Sequence, residues 1–429
     1  MLPPSSSPGL TRNTSYQLVL PFYIYGALSL LVATLLLFFS SGAFLLHYFH
    51  PHTLAITHTM ALGWGTMMIL GASHQLIPVL IEGKIYSEPL GYVSFFLAGL
   101  GIPLLVYSFY QFQFGIEAQW GGILINLAVI VYLVNIGISM AKSKNENVHA
   151  TFVFTGTLWL LITTLIGLFL VYNFTHNILS FDSLHYLPLH AHIGIAGWFL
   201  MIIFGVGSRL IPMFLISKYN NVRLLWWIYG LVNFALVSFL ILFLYSSLAA
   251  FYFLPVAAIA ASILLFAHFC HKAYKDRLRK KTDNPLKTSI LSILLMAIPI
   301  IFLFAIILLL MVAPVNPILI LTYGFCIFFG WITIIIFGMT FKTLPFILWN
   351  KTYHAKAGLG KTPNPKDLFN DKMFKWMVAV HLSGFILFAS GILFSNRIIL
   401  QIAALLLLIA AVLYNINVFK MIFHKPKVI

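Results

Sequence analysis

Apolar residues run along this chain in long, nearly unbroken stretches. Twelve of them cover roughly 19–42, 53–81, 90–110, 120–141, 150–173, 187–216, 224–247, 250–271, 288–313, 317–349, 373–394 and 397–423. Each is long enough to cross a hydrocarbon core of ~30 Å, which takes about 20 helical residues. Lipid offers no partner to backbone N–H and C=O groups, so stretches of this length predict helices. The pattern predicts an all-α polytopic membrane protein of about 12 transmembrane helices.

A second pattern lies on top of the first. Gly63-Trp64, Gly71 and Pro78 recur as Gly197-Trp198, Gly205 and Pro212, and again as Gly330-Trp331, Gly338 and Pro345. Trp to Gly to Pro is seven and seven residues each time, and the copies are offset by 134 and 133 residues. A fixed frame at a constant period indicates an internal repeat. The frame falls on spans two, six and ten, so each unit holds four helices, over about 19–141, 150–271 and 288–423 of a single transmembrane domain covering 1–429. An even number of spans returns the chain to the same side, which sets the expected pseudo-threefold axis along the membrane normal. Residues seven apart on an α-helix share one narrow face, so Trp64, Gly71 and Pro78 predict a packing seam.

Composition agrees with the pattern: 61% of the residues are hydrophobic and 8% charged, which excludes an ordinary soluble domain. The net charge of +16 would fit nucleic acid in a soluble protein, but here the positive loops of a membrane chain explain it, and no nucleic-acid partner is expected. With the N-terminus inside, 22 of the 25 Lys and Arg residues fall on the cytoplasmic side, so both termini are expected there, in the cell (inner) membrane. The first ~18 residues are polar and lack a signal-peptide pattern. Cys270 and Cys326 sit inside apolar stretches and form no thiolate motif.

The candidate chemistry is imidazole. No acidic residue lies in the middle of any stretch, whereas His47, His50, His52, His58, His176, His185, His190 and His192 gather at the outer side or outer third. Ionisable groups inside a membrane mark functional sites by default, and neutral imidazole ligates haem iron and copper. His58 and His192 both stand six residues before the repeat's Trp, where the third copy has Phe325. Small residues follow at helical spacing: Ala61, Gly65 and Ala72 after His58, Gly194 and Gly197 after His190. Such lanes would leave room beside an axial ligand for a planar macrocycle. His52, His185 and His190 are the neighbouring candidate metal ligands, and His381, alone in span eleven, is either a satisfied core histidine or an additional candidate cofactor ligand. The competing reading is that each imidazole bonds a backbone carbonyl or a neighbouring span.

The segments HTLAITHTMALGWGTMMILGASHQLIP, from His52, and LHAHIGIAGWFLMIIFGVGSRLIP, from Leu189, carry a resemblance. With twelve spans in three parallel units, they resemble subunit I of the haem-copper oxidase superfamily, in its divergent, cbb3-like and nitric-oxide-reductase-like members. They are also similar to the haem- and copper-containing membrane proteins of the nitric oxide response. The resemblance implies that His58 matches an axial ligand of low-spin haem and His192 a copper ligand. It implies a haem and/or copper cofactor, a role in respiratory electron transfer, gas response or cofactor handling, and a cytochrome or respiratory-complex partner. The family's histidine pairs in spans seven and ten have no counterpart, since 224–247 and 317–349 contain no histidine. The expected set is therefore one haem or one copper centre, without efficient oxygen reduction. The alternatives are a transporter of a metal ion or small solute, and a structural subunit without cofactor.

The charge asymmetry predicts that a cysteine placed at Tyr48 or Asp182 is labelled by a membrane-impermeant maleimide added from outside. Labelling only after permeabilisation would reverse the orientation.

Overall fold

The structure, a computed structural model, describes residues 14–143, 147–246, 248–278, 281–314, 316–354 and 362–425. The N-terminal polar stretch to residue 13 and parts of the basic loops, 279–280 and 355–361, lie outside the described residues. Twelve helices are long and apolar enough to cross a membrane. They are α1 (Tyr16–Phe39), α2 (Pro51–Leu80), α3 (Glu88–Gln111), α4 (Ile116–Ala141), α5 (Val148–His176) and α6 (Ser183–Leu215). Then come α7 (Val222–Tyr245), α8 (Ala249–Lys275), α9 (Asn284–Leu310), α10 (Pro317–Tyr353), α11 (Asp371–Leu393) and α12 (Arg397–Ile422). The chain is thus an all-α, multi-pass membrane protein whose apolar outer faces contact lipid.

Buried fraction sorts the helices into two layers. Between 72% and 78% of the most apolar part of α2, α6 and α10 is buried, against 22–50% for the other nine. The three helices with the Gly-Trp frame are therefore innermost. Around them α1 packs on α2, α5 on α6 and α9 on α10, while α3–α4, α7–α8 and α11–α12 form hairpins. The frame glycines allow the first set of contacts: a Cβ on Gly71 would fall 2.6 Å from Phe22 of α1, and one on Gly205 or Gly338 would collide with Phe152 of α5 or Ser289 of α9.

Each inner helix contains one stretch of π-helix, at Thr59–Thr66, Ile193–Leu200 and Cys326–Ile332. All three begin just after the position six before the Trp. The extra residue of a π-turn rotates the rest of the helix by about 100° relative to a regular α-helix. The expected seam of Trp, Gly and Pro is therefore split. The glycines face the helix that precedes their own in the chain, and Trp64 and Trp198 face the preceding inner helix in the cyclic order α2, α6, α10. Trp64 Nε1 donates to Thr333 Oγ1 on α10 at 3.1 Å, and Trp198 Nε1 donates to Thr66 Oγ1 on α2 at 3.0 Å. Thr66 and Thr333 each stand two residues after their own Trp. The corresponding residue after Trp198 is Leu200, and the buried Trp331 Nε1 has no hydrogen-bond partner. The three inner helices thus meet head to tail, with one of three links lacking its hydroxyl.

Below this level the inner helices enclose an apolar cavity of about 90 Å³. The three copies of single repeat positions line it together: Ile69 with Ile203 and Ile336, and Ala72 with Val206 and Met339.

Thr66→Val removes the acceptor of the buried Trp198 N–H at nearly constant volume. We expect a destabilisation of about 1–3 kcal/mol, read as a lower melting temperature in detergent. In the Trp198→Phe background, which has no indole N–H, the same substitution should have a markedly smaller effect. Equal effects in both backgrounds would show that the bond contributes nothing.

Candidate functional site

Between the tryptophan level and the end of the molecule where α2, α6 and α10 begin lies a cavity of about 580 Å³. It extends on both sides of α6, with walls from α2–α5 on one side and α7–α10 on the other. Three histidines line it: His58 from α2, and His190 and His192 from α6.

Each imidazole is held the same way. His58 Nδ1 lies 2.8 Å from the Leu54 carbonyl, His190 Nδ1 3.0 Å from the Thr163 carbonyl, and His192 Nδ1 2.7 Å from the Pro188 carbonyl. A carbonyl only accepts, so Nδ1 carries the proton and Nε2 keeps its lone pair. This tautomer is assigned from the partners. The two readings of the histidines are therefore compatible: one ring nitrogen satisfies a backbone carbonyl and the other remains a ligand. His192 Nε2 is buried and has no partner.

His58 and His192 do not face each other. The ring of His58 is nearly parallel to that of His190, at 19°, with centroids 6.2 Å apart. The ring of His192 is nearly parallel to that of Tyr323 on α10, at 23° and 5.8 Å. The head-to-tail arrangement explains both pairs. The residue six before Trp on one inner helix meets the residue eight before Trp on the next, and those residues are His190 and Tyr323. At the third contact the corresponding pair is Phe325 and Ile56, and Phe325 stacks on Phe329 and Phe388 with centroids 4.8 and 4.6 Å away.

The remaining candidates lie elsewhere. His52 stacks on Tyr110, with centroids 4.3 Å apart, and does not line the cavity. His185 is exposed beside Phe181 and Phe243. His381 is buried against α10, with Nε2 2.7 Å from the Phe329 carbonyl, outside the cavity. His74, toward the other end of α2, bonds the Leu70 carbonyl and stacks on Phe22. The small-residue lanes are open only in part: Ala61 and Gly194 line the cavity, whereas a Cβ on Gly65 would meet Phe199 at 2.7 Å and one on Gly197 would meet Trp159 at 2.6 Å, so helix packing consumes the space there.

Two functional positions are absent from the motif-based reading. Gly167 on α5 lets His190 approach, since a Cβ there would lie 2.9 Å from His190 Cε1. Tyr323 becomes visible in the sequence only when the repeat is aligned eight residues upstream of the Trp.

No carboxylate lines the cavity, so paired acid–base chemistry has no groups there. Among the described residues no set of three or more His, Cys, Asp or Glu side chains is grouped to hold a metal ion. The fold and site define a polytopic helical membrane protein with an imidazole-walled cavity. No protein-family model matches the chain, and no curated protein matches it.

One histidine works as a helix cap. His50 Nδ1 accepts the N–H of His52 at 3.3 Å, at the start of α2. Burial, and secondarily the neighbouring His52, lower the pKa of His50 below the ordinary imidazole value. The cap requires neutral Nδ1. Its stabilisation is therefore present above about pH 6.5 and is lost as pH falls through the lowered folded value. Hydrogen exchange at the His52 amide, corrected for intrinsic rate, should accelerate on acidification. His50→Asn, which caps at any of these pH values, should abolish that acceleration. A wild-type amide with pH-independent protection contradicts the assignment.

Proposed function

We propose that this chain is a haem-binding membrane protein, with His58 and His190 as the ligand pair, and that it works in electron transfer. One observation carries the reading: two nearly parallel imidazoles on adjacent inner helices, 6.2 Å apart, each with Nδ1 engaged and Nε2 available, in one cavity. Two imidazoles on one metal, at bonds of ~2.0 Å, place their ring centroids at most roughly 6 Å apart. The cavity as a whole, both sides of α6 together, has a volume of about 580 Å³, within the roughly 300–1,000 Å³ of cofactor pockets.

The choice of haem over a bare copper ion rests on ligand number. A copper ion on protein ligands usually takes three or more, and no such group exists among the described residues. A macrocycle supplies four nitrogens of its own and needs only axial ligands. Bound haem supplies a one-electron redox centre. The protein's share is to hold and orient. Leu54 and Thr163 fix the two rings through their carbonyls, as backbone partners commonly do for ligating histidines. Phe109, 4.5 Å from His58, and the apolar walls exclude water. His58 and His190 would both hold the group if it bound between them, which favours electron transfer over gas response. The resemblance to haem-copper oxidase subunit I supports haem on His58, with an electron-delivering cytochrome or respiratory-complex partner. With the basic loops at the opposite end, the positive-inside rule supports an outer location for this site.

Protein purified from haem-replete cells should show a reduced-minus-oxidised spectrum typical of two imidazole ligands. His58→Ala and His190→Ala should each remove most of it, and Gly167→Ala should weaken it by displacing His190. His381→Ala should leave it unchanged. A protein without haem, or one whose spectrum survives both ligand substitutions, refutes the proposal.

A further inference from the structure

The second side of the cavity repeats the plan of the first with one substitution. His192 stands in the repeat position of His58, and Tyr323 in that of His190. The two pairs have nearly the same geometry: centroids 6.2 and 5.8 Å apart, planes inclined by 19° and 23°. His192 keeps Nδ1 on a carbonyl, as His58 does, and its Nε2 is buried without a partner. There is room beside it. Gly324 lines the cavity, and a Cβ built on it would meet nothing within 4 Å. At the third contact both positions are apolar and phenylalanine rings pack the space.

We infer that the His192 compartment is a second site of the same plan, and that Tyr323 is the specificity-determining residue that limits the chain to one two-imidazole haem site. This rests on the proposed haem reading of the first compartment. The physical basis is the difference between the two side chains. A neutral phenol presents a hydroxyl oxygen, a weaker ligand for iron than the neutral imidazole nitrogen that the first compartment presents at this position. Iron in the His192 compartment therefore finds one neutral nitrogen ligand where the first compartment offers two. The residue eight before the Trp decides whether each compartment ligates from both sides.

The test exchanges that residue in both directions and counts haem per chain by pyridine haemochrome on the full-length protein purified from haem-replete cells. Tyr323→His should raise the count from one to two, and adding His192→Ala should return it to one. Tyr323→Phe, which only removes the hydroxyl, should stay at one. The reciprocal variant His190→Tyr gives the first compartment the pair that the second already accommodates. It should elute as a monodisperse protein and lose its haem. This arm reads the inference even where Tyr323→His fails to fold. If His190→Ala loses haem but Tyr323→His still binds one, or if His190→Tyr keeps its haem, the inference is overturned and the first-site reading stands. If neither His58→Ala nor His190→Ala loses haem, the first-site reading itself falls.

Discussion

An indole N–H buried in hydrocarbon must find an acceptor within the protein, because lipid provides none. The inner helices are arranged around that requirement. Trp198 of α6 reaches Thr66 of α2, and Trp64 of α2 reaches Thr333 of α10. Each bond fixes how far one inner helix is rotated against the next. The π-turns then present the positions six and eight before each Trp to opposite neighbours. Facing pairs result from this rotation, so the geometry of the histidines depends on hydrogen bonds well away from them. The buried Trp331 Nε1 has no hydrogen-bond partner, and the residue of α6 that corresponds to Thr66 and Thr333 is Leu200, which has no hydroxyl.

Three contacts with one backbone plan thus carry three chemistries. His58 with His190 presents two available lone pairs, His192 with Tyr323 presents one and a hydroxyl, and Phe325 with Ile56 presents none. The phenylalanine cluster around Phe325 fills its compartment, and the polar pairs leave theirs open. The cavity ends above the tryptophans. Beyond it, a separate space of about 90 Å³, ringed by Ile69, Ile203 and Ile336, shares no lining residue with it. A solute moving along the axis would have to pass that apolar ring.

Much of this was legible in the residues alone. Twelve spans are set by apolar length, because a helix is the only conformation that satisfies so long a run of backbone in lipid. The innermost helices are marked by the Gly-Trp frame: glycine permits close approach from neighbours, and a helix approached from all sides is an inner one. His58, His190 and His192 stand out as imidazoles in a chain with no carboxylate in mid-span. Which imidazole meets which was not legible. Equivalent positions of the frame, His58 and His192, do not meet; each faces the residue eight before the Trp on another inner helix.

The sequence by itself therefore determined the class of the protein, the count of its spans, the identity of the inner helices and the set of candidate imidazoles. These depend on local quantities: hydropathy, period and side-chain chemistry. Only the tertiary structure decided that His190 partners His58, that Tyr323 partners His192, and that His52, His185 and His381 stay outside the cavity. It also decided that Gly65 and Gly197 receive aromatic rings rather than a ligand. These outcomes depend on helix rotation, which π-turns shift by a fraction of a turn. No residue-by-residue pattern records that shift until a neighbouring helix is in place.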